Sequence, residues 1–354
     1  MTWRKHSPAP PRPGLADSPE ARAYREAGVD LAAADESLAA IKESVRRTFN
    51  AQVVSGFGGF GCAIRLPAGM RQPVIVSSID SVGTKVSVAA RAGRLDTVGH
   101  DIVHHCVNDI LVTGARPLCF LDYVAFADFT AEQSARVVLG VAAACEALGV
   151  PLVGGETAQL PGVYGAGEFD LVGAVVGVAE EDELIDINNV RAGDVVVALP
   201  SNGIHTNGYS LVRQVFADVP LEHVYPNLGR PLGDELLAPH RCYLDDLSDF
   251  LPRVHGLAHI TGGGMLDNIP RSLPEGVRAD LDWGRWQVPA IFELIGELGD
   301  VPENEMARIF NLGIGMAVFC DQDTADDLTR AAVGASIVGT IRADDSGERV
   351  RIRR

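Results

Sequence analysis

The chain has 354 residues, enough for two domains with separate cores; 47% are hydrophobic and 22% charged, the balance of a soluble globular protein. With 47 acidic residues against 30 Lys and Arg, the net charge of −17 excludes a basic nucleic-acid surface but not a locally positive pocket for a small anion. No apolar run is long enough to span a membrane and no secretory h-region is present, and six scattered cysteines form no C-x-x-C pair, so a cytoplasmic protein with buried thiols is expected.

Residues 1–20, with Pro8, Pro10, Pro11 and Pro13, read as a disordered leader. An amphipathic helix is expected over Asp35 to Arg47, and a glycine-rich segment, Gly56 to Gly61, leads into a short strand at Cys62 to Leu66. The β-branched run Val74 to Asp80 reads as a buried strand ending on a carboxylate; Ser81 to Gly83 turn the chain, and Thr84 and Lys85 open a helix. Helices are expected over Lys85 to Arg91, Thr97 to Thr113 and Ala131 to Leu148, with strands over Leu118 to Ala125, Pro151 to Val153 and Phe169 to Val178. After a polar link, strands are expected at Val195 to Leu199, Leu257 to Ile260 and near 313–319, 336–341 and 349–352, with helices at Asn207, Asp234 and Leu244. This alternation gives an α/β (α+β) chain of two domains, 21–182 and 190–354.

A carboxylate at a strand end with a lysine five residues on suits a metal and phosphate, although the spacing is not that of a Walker A loop. Asp101, His105 and Asp109 recur every four residues and share one helix face; with Asn108 they suit a hard cation, the alternative being a solvated stripe. Asp122 interrupts an apolar strand, where a carboxylate is costly to bury unless paired, while period two would also allow it an exposed face. Glu156 follows Gly154 and Gly155 at another strand end, and open α/β sheets gather ligands at such ends. The glycines around Phe57 and Phe60 fit a flap over a nucleotide or a plain hairpin bend. His205 lies on a glycine-flanked loop as an exposed imidazole suited to proton transfer or charge stabilisation, with Thr206 or Asn207 capping the next helix. Thr261-Gly-Gly-Gly264 before a helix at Met265 fits an anion-binding nest or a tight turn.

These motifs fall in an order that resembles the phosphoribosylformylglycinamidine cyclo-ligase family, the aminoimidazole ribonucleotide synthetases. The match runs from about Tyr24 to Ile352. It rests on Ala27-Gly-Val-Asp30, Gly58-Gly-Phe-Gly61, Asp80 with Val82-Gly-Thr-Lys85, Val107-Asn-Asp109, Phe120-Leu-Asp-Tyr123 and Gly154-Gly-Glu-Thr-Ala158. Further along come His205-Thr-Asn-Gly-Tyr-Ser-Leu-Val-Arg213, Leu237-Ala-Pro239, Ala258-His-Ile-Thr-Gly-Gly-Gly264, Phe310-Asn311 and Gly313-Ile-Gly-Met316. The resemblance implies ATP-dependent ring closure of formylglycinamidine ribonucleotide in purine synthesis. It implies a fold like that of selenophosphate synthetase and thiamine-monophosphate kinase. It also implies a homodimer whose N-domain strands build one barrel, with ATP near the interface and a mixed C-domain sheet with helices. It assigns catalysis to Lys85, His205 and Asp122, and ATP binding to Gly58, Gly59, Phe60, Gly61, Asp80, Thr84, Lys85 and Asn207. Mg2+ falls to Asp80, Asn108, Asp109 and Glu156, and anion chemistry gives the ribose 5′-phosphate to Thr261, Gly262, Gly263 and Gly264.

The chain departs from the family's usual pattern at Ser81 (usually Gly), Thr206 (usually Ser) and Gln159 (commonly an acid), and lacks a tyrosine after Met306. No charged catalytic candidate is lost. A paralogue acting on another substrate, or an inactive ATP-binding protein, is the alternative. The reactive-cysteine contexts of selenophosphate synthetase and hydrogenase-maturation relatives are absent.

Overall fold

A computed structural model of the chain describes residues 23, 25–344 and 346–354; the expected leader and Tyr24 lie outside the described residues. The chain divides into two units, one taking the chain up to Cys106 together with Arg116–Glu180, the other Val107–Ala115 and Glu181–Arg354.

In the first unit, α1 (Leu31–Arg47) starts where the Asp30 carboxylate accepts the backbone N–H groups of Ala32 and Ala33. Then follow β1 (Pro73–Ser81), α2 (Lys85–Ala92), α3 (Thr97–Leu111), β2 (Arg116–Phe126), α4 (Ala131–Ala147), β3 (Leu152–Gln159) and β4 (Phe169–Glu180). α4 opens with a full capping box between Thr130 and Gln133. The sheet order is β1-β4-β2-β3, with β1 and β2 antiparallel to β4 and β3 parallel to β2. β1 and β3 are its edges, so the sheet is open within one chain.

α3 packs under the sheet centre: a Cβ at Gly173 of β4 would crowd the Phe120 ring and Ile102. The start of α3 meets α4 in backbone contact, because a Cβ at Gly99 would strike the main chain at 140–141 and one at Gly140 the main chain of Asp96, just before α3. Three expectations are corrected here. Residues 62–66 form no strand, only a bridge between Val53 and Ile64, since the four glycines of 56–61 precede them without an apolar face to pair. β3 runs on to Gln159, so Glu156 lies inside a strand and not at its end. Ser81 continues β1 and is not among the residues of positive φ, so a serine there meets no glycine-only angle.

The second unit has β5 (Val195–Pro200), α5 (Tyr209–Val215), α6 (Leu232–Leu236), α7 (Leu244–Leu247), β6 (Gly256–His259), α8 (Gly264–Asn268), β7 (Val277–Asp282), α9 (Ala290–Gly299), α10 (Glu303–Ile309), β8 (Ile314–Cys320), α11 (Gln322–Ala331), β9 (Ser336–Ala343) and β10 (Val350–Arg353). Its sheet runs β10-β7-β9-β5-β8-β6, all neighbours antiparallel except β10 and β7. Val195, Val197, Leu199, Met316, Val318 and Cys320 from the neighbouring strands β5 and β8 pack with Leu257, Tyr243 and Leu328 in one core. The last turn of α3 joins it through Leu111. β7 escapes the sequence reading because Arg278, Asp280 and Asp282 break its apolar pattern; Arg278 pairs with Asp280 at 2.7 Å and Asp344 at 3.0 Å. No helix among the described residues is long and apolar enough to cross a membrane.

Candidate active site

In the first unit a single row of residues crosses the sheet: Asp80 pairs with Gly173, Gly173 with Asp122, and Asp122 with Gly155. Asp80 and Asp122 therefore project on one face, while Glu156, one residue past the row, projects on the other. Asp122 is 8% exposed, and burial pushes its carboxyl up to about 7, with a hydrogen bond from its own backbone opposing. Gly155 must lack a side chain, because a Cβ would collide with the Asp122 carboxylate.

Asp122 lines a cavity of about 320 Å³ between α1, β3 and the glycine-rich segment. Gly58, Gly59 and Glu156 line it too, although Glu156 projects from the opposite face of the sheet to Asp122. Phe60 and Gly61 are exposed and lie outside its lining.

The polar stripe of α3 exists, and each member has a partner. Asp101 pairs with Lys85 at 2.8 Å, His105 with Asp80 at 2.9 Å, and Asp109 with His259 at 2.8 Å. Two expectations change in consequence. Lys85 is fully buried against Asp101, and burial lowers its pKa against the pull of that carboxylate; it ties the start of α2 to α3 instead of reaching a transferred group. Asn108 is buried with its amide committed to main chain: Nδ2 donates to the Arg241 carbonyl at 2.8 Å, and Oδ1 accepts from the Tyr243 N–H at 2.9 Å. It fastens the 241–243 segment to the end of α3, its buried amide engaged by main chain on both sides. Asp80, in contrast, keeps 42% of its side chain exposed and Asp109 27%.

In the second unit His205 is buried, 1% exposed, which corrects the expectation of an exposed loop imidazole. Its φ is +66°, a left-handed backbone that a β-carbon disfavours and that concentrates at functional sites. Nε2 accepts the Asn202 N–H at 3.0 Å, and an accepting nitrogen carries no hydrogen, so the ring proton sits on Nδ1. The ring stacks on His240, centroids 3.9 Å apart and planes 25° from parallel. His240 Nε2 lies 2.9 Å from His259 Nε2, and its Nδ1 3.4 Å from Thr206 Oγ1.

Gly315 of β8 makes room for this cluster: a Cβ there would collide with the Tyr243 hydroxyl and sit 2.8 Å from His205 Cε1. Gly315→Ala is expected to lower stability by about 1–3 kcal/mol through overpacking and to displace His205. A urea melt run beside a turnover assay checks this, and wild-type values in both would refute it.

The helix after His205 is capped by Gly208, in the left-handed region, and by neither Thr206 nor Asn207. A Cβ at Gly208 would collide with Phe310, so packing demands the glycine. Asn207 instead faces the Thr261–Gly264 loop, its Oδ1 3.1 Å from where a Gly262 Cβ would lie. Asn268 Nδ2 donates to the carbonyls of Thr261, Gly262 and Gly264 at 3.4, 3.0 and 2.9 Å. α8 is a helix of only five residues, which leaves little dipole for an anion.

His240 and Tyr243 escaped the sequence reading, and His259 entered it only as a letter in a motif. They lie up to 150 residues from the groups they touch, and only tertiary structure joins them.

Two α/β units of this build define a protein of the AIR synthase type. The family description "AIR synthase related protein, N-terminal domain" matches residues 62–179, and its C-terminal counterpart residues 191–351. Among solved structures, thiamine-monophosphate kinase from Stenotrophomonas maltophilia superposes with a TM-score of 0.66 at 18% identity, covering 88% of this chain and 95% of that one. Hydrogenase maturation protein HypE in complex with ATP gives 0.63 at 16% identity, covering 89% and 90%. At those identities the likeness shows the fold alone. Phosphoribosylformylglycinamidine cyclo-ligase from Methylobacillus flagellatus is 46% identical over 336 residues, 92% of this chain and 96% of the relative. The enzyme of that name from Burkholderia vietnamiensis is 45% identical over 347 residues, 95% and 97% of the two chains. The chain belongs to the phosphoribosylformylglycinamidine cyclo-ligase family.

Proposed function

We propose that this chain closes the imidazole ring of 5-aminoimidazole ribonucleotide from formylglycinamidine ribonucleotide, converting ATP to ADP and phosphate in the cytoplasm. The observation that carries the reading is the 46% identity spread over 96% of a cyclo-ligase, so that both units have counterparts there. ATP phosphorylates the formyl amide oxygen. The ribose-bearing amidine nitrogen then attacks the formyl carbon, the C–O bond breaks, phosphate departs and a proton is lost. An amide oxygen leaves only once it is phosphorylated, so triphosphate and amide must be held together.

Residue roles follow from the donors each position offers. His205 presents Nδ1–H, a donor to negative charge growing on the transferred phosphoryl or the iminophosphate. Asp122, holding its proton up to about pH 7, is a donor in the cavity of the first unit. Gly58 and Gly59 let main chain approach a phosphate there, while Asp80 and Thr84 serve ATP from the other edge strand of the sheet and the turn after it. Thr261 to Gly264, beside Asn207, take the ribose 5′-phosphate.

Carboxylates that keep exposed oxygen suit Mg2+, a hard cation. Asp80 and Glu156 in the first unit, and Asp109 in the second, meet that condition. Bound Mg2+ neutralises charge on the phosphates.

The sheet of the first unit supports a homodimer. Ile75, Ile79 and Leu121 are 53%, 70% and 36% exposed on the face opposite Asp80 and Asp122, beside Val172, Ala174 and Val176 of β4. Apolar residues in such a row call for a partner, and a second copy of the sheet would close a barrel. Ile79→Lys is expected to shift the protein to monomer at micromolar concentration in light scattering and to depress turnover; a persistent dimer would refute this face.

The reading is tested by phosphate release from Mg-ATP with and without formylglycinamidine ribonucleotide, alongside detection of the aminoimidazole product. Phosphate and product formed one to one establish it. Turnover of ATP indifferent to that substrate would overturn it in favour of another acceptor.

A further inference from the structure

We infer that His240 is a positioning residue for His205, held between Thr206 and His259 in a hydrogen-bonded relay that runs Thr206, His240, His259, Asp109. The inference rests on the proposed ring closure for its kinetic consequence, though not for its geometry. Asp109, as a carboxylate, only accepts, so the 2.8 Å contact puts a hydrogen on His259 Nδ1. His259 Nε2 is then the accepting nitrogen in the 2.9 Å contact, and the hydrogen between the two rings belongs to His240 Nε2. His240 Nδ1 is left as an acceptor, matched by the Thr206 hydroxyl at 3.4 Å. Every link takes one direction, and each imidazole is confined to a single tautomer.

The consequence falls on His205. The tilt of a ring stacked 3.9 Å from its neighbour follows that neighbour's plane. Hydrogen bonds at both nitrogens fix the plane of His240, and both end on anchored groups. His259 ends β6, and Thr206 directly follows His205 in the chain. His240 is 1% exposed and His259 6%, so water does not compete for these contacts. The locked ring forms one wall of the His205 site, and the Asn202 N–H holds the His205 Nε2 edge at 3.0 Å. Nδ1–H is thereby aimed in one direction. His240 need not touch substrate for this; it acts through His205.

Two variants separate stacking from hydrogen bonding. His240→Phe keeps an aromatic wall and deletes both bonds, while His240→Gln keeps a donor able to reach His259 Nε2. With histidine labelled by 15N, the wild-type spectrum is expected to show His240 protonated at Nε2 and His205 and His259 at Nδ1. In His240→Phe the His205 signals should move and broaden, and kcat for substrate-dependent phosphate release should fall about tenfold or more while KM stays within twofold. Gln should recover part of kcat. Unmoved His205 signals in a folded His240→Phe protein, or an unchanged kcat, would overturn the inference. If the wild type ignores formylglycinamidine ribonucleotide, the proposed reaction fails, and the His205 spectrum still decides the positioning role.

Discussion

Replacing His205 by alanine is expected to lower substrate-dependent kcat by about 10²- to 10³-fold, the range lost when one preorganised donor to a developing anion is removed. The expectation rests on the unusual amount of structure spent on one ring. His205 holds a left-handed backbone at φ +66°, its Nε2 is occupied by the Asn202 N–H, and one face is covered by His240. Strain of this kind persists where the surroundings over-determine it. Alanine keeps the strained backbone and loses the donor. Asparagine tolerates the left-handed region better and carries an N–H donor, so His205→Asn should recover part of the loss. Phosphate release measured at saturating ATP and substrate, with a melting curve to confirm folding, checks both variants. A kcat for His205→Ala within threefold of wild type would remove His205 from the chemistry.

Several elements were legible from the chain, for reasons that differ. α1, β2 and α4 have strong periodic patterns, and the observed ends lie within a few residues of those expected. The Asp80-Ser-Val-Gly-Thr-Lys85 run gave its strand and helix correctly, because β-branched residues precede a glycine turn. What it could not give is where Lys85 points. A lysine at a helix start is ordinarily solvated, and its burial depends on Asp101 one turn into a different helix, at 2.8 Å. Asn108 misled for a related cause. Its neighbour Asp109 is partly exposed while it is buried, a distinction set by which side of α3 the 241–243 segment occupies. The histidine cluster was invisible because its members come from residues 109, 205, 240 and 259, with no spacing to mark them. β7 was hidden by its own charges, which are satisfied by ion pairs with Arg278 and Arg353.

Asp122 offers the sharpest use of pH. Its carboxyl has a folded-state pKa near 7 against 3.8 when unfolded, raised by burial. Between those values the folded protein holds a proton that the unfolded chain has released. Stability from this group therefore falls as pH rises from about 4 to about 7 and is level above that. That difference between the two states corresponds to about 4 kcal/mol. Asp122→Asn removes the titration and keeps the shape. The variant should match wild type near pH 4 and exceed it by up to about 4 kcal/mol at pH 8, read from urea midpoints at both pH values. A stability difference that does not change with pH would mean that Asp122 is ionised in the fold, held so by a cation or a donor. The same variant reports on the chemistry. If a neutral hydrogen-bond donor is all the cavity needs, Asp122→Asn retains turnover near pH 8; if the carboxylate must accept a proton, turnover collapses while stability rises. That combination of a more stable and less active protein is the pattern expected where a buried charge is kept for function against the interest of the fold.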